Sequence, residues 1–276
     1  MKITIITVTY NSERSIETAI GSVLGQSVLK DMSERMQGKG MLGNGLRESG
    51  RPLPDVSEHP QLEYLIIDGA SKDATIAKAE AFRPAFEQAG VEYRIISEPD
   101  RGIYDAMNKG IHLATGDIIG ILNSDDWYEP DTLETVLQTF RETACDLMFA
   151  HIRMHKADGS TFVKKARQRK FQTSRDWNHP TTFVKAALYK QHPFADLGIH
   201  DDYGFYLKMR KLDKKIVTVD KVLANFRLGG ASNHKSLKEA VKRIRERYLY
   251  CYRMNGYSRW YLAECIAIEA VKMILG

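Results

Sequence analysis

The chain has 276 residues, and 40 Lys+Arg against 35 Asp+Glu leave a formal charge of +5. So mild a basicity is not the signature of a nucleic-acid binder, and 43% hydrophobic with 9% aromatic content excludes disorder throughout. Three cysteines, Cys145, Cys251 and Cys265, are an odd number with no C-x-x-C or Cys/His spacing, which argues against a disulfide framework or a structural zinc site and points to a reducing compartment.

The amino terminus runs straight into an apolar, β-branched segment, Ile3 to Thr9, that reads as a buried strand without signal-peptide features. Ser12 to Gln26 follows as a helix, with Ile16, Ala19, Ile20, Val23 and Leu24 at helical spacing. Residues 28–60 are dense in Gly and Pro and read as a long, flexible insertion, because ordinary connections take about 2–6 residues. Glu63 to Asp68 is the second strand, Asp73 to Ala89 a helix and Glu92 to Ser97 the third strand. Asp100 is a candidate cap for a helix carrying Ile103, Met107, Gly110, Ile111 and Ala114. Asp117 to Leu122 is the fourth strand, and Pro130 starts a helix with Leu133, Val136, Leu137 and Phe140 on its buried side. Strands alternating with helices predict an α/β fold with a mostly parallel sheet flanked by helices.

Beyond residue 150 the pattern changes to short strands, Leu147 to Met154 and Thr161 to Val163, then the basic run Lys164 to Lys170 and a mixed region to Arg227. Residues 236–276 read as helical with a break at Asn255-Gly256. This tail holds Lys235, Lys238, Lys242, Arg243, Arg245, Arg247 and Arg253 beside Tyr248, Tyr250 and Tyr252, and ends in an apolar stretch. Such a helix pair suits either an anionic membrane surface or a cap docked on the main domain with a solvated basic face. No apolar run reaches the roughly 18–20 residues of a membrane span, so the expected location is cytoplasmic, at most peripheral at the inner face of the plasma membrane.

In the first half, each notable polar cluster follows the carboxyl end of a strand: Thr9-Tyr10-Asn11, Asp68 to Asp73, Glu98 to Gly102, and Asn123-Ser124-Asp125-Asp126. Parallel sheets bind ligands at that edge. Two adjacent carboxylates after an apolar strand can hold Mg²⁺ or Mn²⁺ together with substrate phosphates, although an Asp pair can equally be a capped turn. The absence of G-x-x-x-x-G-K-[ST] and of G-x-G-x-x-G after the first strand argues against P-loop and dinucleotide enzymes.

The strings IITVTYN, SVLGQS, LEYLIIDGASKDAT, EPDRGIYDAMNKGIHLATGDIIGILNSDDWYEPDTL, NHPTTFVKAALY, HDDYGFYLKM and FRLGGAS together resemble the inverting nucleotide-sugar glycosyltransferases of family 2, in their bacterial cell-surface polysaccharide branch. The resemblance covers most of residues 1–232 and implies a GT-A fold, with 233–276 a helical C-terminal extension. It implies that Thr9, Tyr10, Asn11 and Asp68 line the nucleoside, that Arg101 lies near the diphosphate, that Asp125 contacts ribose and that Asp126 binds the metal. Ser124 stands where the family's DxD-type motif has its first carboxylate. Asp202, with Asp201 as neighbour and fallback, matches the general base placed before a helix from Phe205 to Arg210, and Gly204 replaces the motif's later acid. His179 falls on the acceptor side, and His234 is a candidate to complete the metal shell. The implied activity is metal-dependent transfer of a sugar from a nucleotide-diphosphate donor to a glycan or lipid-linked saccharide. Two other readings stay open: a sugar-phosphate nucleotidyltransferase, which lacks its Gly-rich loop here, and a non-catalytic basic membrane- or nucleic-acid-binding module.

Overall fold

The computed structural model describes residues 1–29, 61–195, 197–198, 200–228 and 236–275. Its elements run β1 (Lys2–Thr9), α1 (Ile16–Leu24), β2 (Gln61–Asp68), α2 (Thr75–Glu80), α3 (Arg83–Gln88), β3 (Glu92–Ser97), α4 (Ile103–Leu113), β4 (Ile118–Asn123), β5 (Trp127–Tyr128), α5 (Thr132–Thr143), β6 (Leu147–His155), β7 (Thr161–Lys164), β8 (Phe183–Lys185), α6 (Ala186–Gln191), α7 (Asp201–Lys211), β9 (Ile216–Arg227), α8 (Leu237–Glu246), a π-helical segment (Arg247–Arg253) and α9 (Tyr261–Leu275).

One sheet organises the molecule, in the order β3-β2-β1-β4-β8-β6-β9-β5, with β7 paired to β6 at the side. The β3-β2-β1-β4 half is parallel, and β1 and β2 are buried on both faces, which is why they read as unbroken apolar runs. The other half is mixed: β8 runs antiparallel to both β4 and β6, β9 is parallel to β6, and β5 is antiparallel to β9. Helices cover both faces. On one, α1, α3 and α5 pack Ile20, Val23, Phe86, Val136 and Phe140 onto Ile3, Ile5, Tyr64 and Ile66. On the other, α4 and α7 pack Met107, Ile111, Tyr206 and Met209 onto Ile6, Ile67, Ile121 and Phe149. Helix α4 sits so close that a Cβ added to Gly110 would come within 2.5 Å of Ile6 Cγ2.

Several boundaries differ from the sequence reading. The expected helix from Asp73 to Ala89 is two helices, with Pro84 in the first turn of the second, since a proline cannot continue a helical hydrogen-bond ladder. Asp100 accepts the Gly102 amide at 2.9 Å, but α4 starts two residues later with Gly102 at its N-cap. The helix expected from Pro130 starts at Thr132, and that expected from Phe205 starts at Asp201, so Asp201 and Asp202 occupy its first turn. Of the segment read as an insertion, Val28 and Leu29 pack into the core and residues 30–60 lie outside the described residues.

The C-terminal helices dock on α7. Tyr252 stacks on Tyr261 at 4.3 Å, meets the Tyr203 ring edge-on at 5.8 Å and donates to Glu264 at 3.1 Å. The Cys251 thiol donates to the His200 carbonyl at 3.2 Å. The basic face is therefore not wholly solvated: Arg243 and Arg247 are buried and share the buried carboxylate of Glu269 at 2.8 and 3.3 Å.

Candidate active site

The polar ends of β1, β2 and β4 are bound into one floor. Asn11, left-handed at φ 49°, donates its amide to Ser71 Oγ at 2.8 Å, and its Oδ1 accepts from the Lys72 amide at 2.8 Å. Ala70 in the facing loop is also left-handed, at φ 61°, a conformation that costs a non-glycine residue about 1–2 kcal/mol. Ser12 Oγ lies 2.8 Å from Ser124 Oγ, tying the first strand end to the fourth.

Asp68 is almost fully buried, yet three donors satisfy its carboxylate: the Ser71 amide at 2.9 Å, Ser71 Oγ at 2.5 Å and Ser97 Oγ at 2.6 Å. Asp100 lies close over Gly69, so a Cβ there would come within 2.5 Å of Asp100 Oδ2 and displace that carboxylate. Thr9 is buried and its hydroxyl has no partner among the described residues, whereas Tyr10 is exposed. Arg101 is 82% exposed and its guanidinium lies 3.0 Å from Asp105, so a phosphate contact would require it to swing away from that carboxylate.

The β4 end carries a marked electrostatic anomaly. Asp126 is fully buried; its Oδ1 accepts the Arg227 amide at 3.3 Å, and its Oδ2 has no partner among the described residues. Burial, aggravated by the neighbouring Asp125 charge, pushes the Asp126 carboxyl well above the ordinary carboxylate range. Burial also raises Asp125. Arg227 opposes both shifts and lies over the Trp127 ring at 5.5 Å, with His155 against the same ring at 4.6 Å. Trp127 is thus sandwiched rather than free, and Tyr128 is buried in the core.

Among the described residues no three His, Cys, Asp or Glu side chains form a preformed cation cage. The donor set still fits a hard divalent ion. A buried carboxylate oxygen without a partner among the described residues, next to a second carboxylate, leaves coordination positions that a diphosphate would fill. His234 lies outside the described residues.

A second cluster forms at the start of α7. Asp202 Oδ1 accepts from Tyr104 Oη at 3.1 Å and from the Tyr203 amide at 2.7 Å, while its Oδ2 lies 3.2 Å from His179 Nδ1. His179 is enclosed, with its ring edge against Trp177, and burial lowers its pKa even though Asp202 opposes the shift. A neutral imidazole donating from Nδ1 is the state that suits this contact. The Asp202 side chain keeps 20% of its surface exposed, so it can meet a substrate hydroxyl. Asp201 is buried and accepts the Leu197 amide at 2.8 Å, which gives it a structural task.

The structure thus gathers Asn11 and Asp68 in one floor, places Asp126 beside Asp125, and sets His179 against Asp202. Sequence reading missed two residues. Arg227 lies in the string FRLGGAS, where nothing local marks a role for it, and only the pairing of β5 with β9 brings it to Asp126. Tyr104 is 98 positions from Asp202, and nothing local signals their contact.

Comparison with known proteins accords with this geometry. The Glycosyl transferase family 2 model matches residues 4–198. An uncharacterized glycosyltransferase of Nostoc sp. is 24% identical over 257 residues, covering 87% of this chain and 69% of that one. A PGL/p-HBAD biosynthesis glycosyltransferase of Mycobacterium bovis is 36% identical over 98 residues, 35% of this chain and 37% of that one, so the match spans little more than a third of that relative. The mannosyltransferase PcManGT of Pyrobaculum calidifontis, solved with GDP-Man and Mn²⁺, superposes with a TM-score of 0.59 at 16% identity, covering 99% of this chain and 70% of that one. The shared fold is the GT-A type.

Proposed function

From the premise that the chain belongs to glycosyl transferase family 2 and is a glycosyltransferase, we propose that it catalyses metal-dependent, inverting transfer of a sugar from a nucleotide-diphosphate donor to a glycan or lipid-linked saccharide of the cell surface. The observation that carries this reading is Asp126, a buried carboxylate with one oxygen that has no partner among the described residues, beside Asp125 and at the same sheet edge as Asp68. In this reading Thr9, Tyr10, Asn11 and Asp68 bind the nucleoside, Asp125 the ribose, and Asp126 holds Mg²⁺ or Mn²⁺, which neutralises charge on the departing diphosphate when bound. Arg227 supplements that charge, and Arg101 joins it on leaving Asp105. The proposed division is a catalytic domain over residues 1–232 and an extension over 233–276.

Asp202 is proposed as the general base. The acceptor hydroxyl oxygen bonds to the anomeric carbon from the side opposite the diphosphate, the carbon–oxygen bond to the diphosphate breaks, and the hydroxyl proton passes to Asp202. Tyr104 and His179 hold the carboxylate still without removing its access to solvent. His179 therefore serves as a positioning group on the acceptor side, and Asp201 as a brace for the loop before α7.

The test is a panel of nucleotide sugars screened by thermal shift with Mn²⁺, with Mg²⁺ and with EDTA. A ligand held at a hundred times its dissociation constant stabilises the folded state by about 2.7 kcal/mol. One donor should stabilise in a metal-dependent way, and that donor should support transfer. If no nucleotide sugar stabilises the protein with either metal, the reading fails.

A further inference from the structure

We propose that the outward side of the C-terminal helices is a docking surface for an anionic lipid bilayer. The proposal rests on the reading above, to which it adds the place where a lipid-linked acceptor is met. Its basis is how the tail sorts its side chains. Between Ser236 and Val271 the exposed charges are all basic: Lys238, Lys242, Arg245, Arg253 and Arg259. The acids of the same stretch face inward, with Glu246 and Glu269 buried and Glu239 and Glu264 half-buried. Glu269 is consumed by the buried Arg243 and Arg247, and Glu246 sits against Gly198, with Lys242 reaching it at 3.9 Å.

The exposed apolar residues complete the pattern. Trp260 is 84% exposed, Leu237 70% and Val241 58%, and Leu262, Ile266 and Met273 are exposed on α9. On α8 the exposed positions 237, 238, 241, 242 and 245 recur at helical spacing and form one stripe of two apolar and three cationic residues. Among the described side chains of α9 the exposed positions 262, 263, 266, 267, 270, 271 and 273 form a stripe without any charge, about 16 Å long at 1.5 Å per residue. A helix that merely capped the domain would turn polar residues to water on that side.

Both stripes find their complement in one partner. An anionic leaflet offers negative charge to the cations and an acyl boundary to Trp260, Leu262 and Ile266. A two-fold dimer through the same face would set the five cations against their own copies, which is unfavourable. No helix among the described residues is long and apolar enough to cross a membrane, so the contact lies in the plane of the interface.

The experiment is co-sedimentation of the full chain with vesicles of phosphatidylcholine, alone or with one-third phosphatidylglycerol, at low and high salt. Neither donor nor acceptor is needed, so binding without any transfer would count against the enzymatic reading alone. The protein should bind the anionic vesicles and be released by salt. Lys238→Glu/Lys242→Glu/Arg245→Glu should weaken binding by about fivefold per cation removed, and so by at least roughly a hundredfold together. Leu262→Gln/Ile266→Gln should weaken it by about tenfold or more. Both variants change exposed side chains, so thermal stability and donor-induced stabilisation should match the parent protein. The proposal is overturned if the protein stays in the supernatant, binds neutral vesicles equally well, or binds undiminished in either variant. It is also overturned if light scattering shows a dimer that Leu262→Gln/Ile266→Gln dissolves.

Discussion

Replacing Asp126 with Asn should stabilise the protein in EDTA and abolish its response to donor. The side chain is fully buried, its Oδ2 has no partner among the described residues, and the Asp125 carboxylate stands next to it. Asparagine keeps the shape and the acceptor for the Arg227 amide while removing the buried charge. An uncompensated buried polar group costs about 1–3 kcal/mol, and a charged one more. The Asn Nδ2 is itself a buried polar group, so the variant sheds only the extra cost of the charge, up to about 1 kcal/mol, and at roughly 2–4 °C per kcal/mol Tm should rise by a few degrees at most in EDTA. With Mn²⁺ and a matching nucleotide sugar at a hundred times its dissociation constant, the parent protein should gain about 2.7 kcal/mol and overtake the variant, which should gain nothing. Differential scanning fluorimetry across the four conditions reads both effects. A variant that melts lower than the parent in EDTA would show that the Asp126 charge is compensated, and one that keeps the Mn²⁺-dependent rise would remove it from the metal site.

Asp202→Asn should leave donor affinity unchanged and slow transfer by about 10²–10⁴-fold, with calorimetry and single-turnover transfer as the paired measurements; a large affinity loss with normal turnover would make Asp202 a binding residue. Burial holds the His179 pKa below its ordinary 6.5, so the unfolded chain takes up a proton there before the folded one does. Stability is complete above that range and is lost as pH falls through 6.5 toward the folded value; in urea titrations His179→Gln should flatten this part of the profile. Glu269→Gln strands the buried Arg243 and Arg247 without their shared counter-charge and should cost about 3–5 kcal/mol in urea denaturation, an effect absent if water reaches that pair.

The parallel half of the fold was legible because β1, β2 and β4 are buried on both faces and each polar cluster follows a strand directly. The mixed half was not. β9 is half-exposed along most of its length, without alternation, and its partners β5 and β6 lie far away in sequence, so neither composition nor periodicity marks it. The same reason hid Arg227 and Tyr104, whose contacts with the two key carboxylates are made only by tertiary pairing. The tail admitted two readings because a basic amphipathic sequence does not reveal which of its cations are buried. Arg243 and Arg247 turn inward to Glu269, while Lys238, Lys242 and Arg245 turn outward.

The contact between Asp126 and the Arg227 amide joins residues 101 positions apart, and β5 itself exists only as the partner of β9. A ribosome adding about 5–20 residues per second therefore needs roughly 5–20 s between completing the carboxylate motif and supplying the strand that fixes it. During that interval the parallel strands β1 to β4 are all available to pair, while the loop bearing Asp125 and Asp126 has no edge to lie on. Nascent chains released before Arg227 would carry the proposed nucleoside floor without an ordered site for the proposed cation. Affinity for a bare nucleoside should accordingly arise earlier in synthesis than affinity for a metal-bound diphosphate.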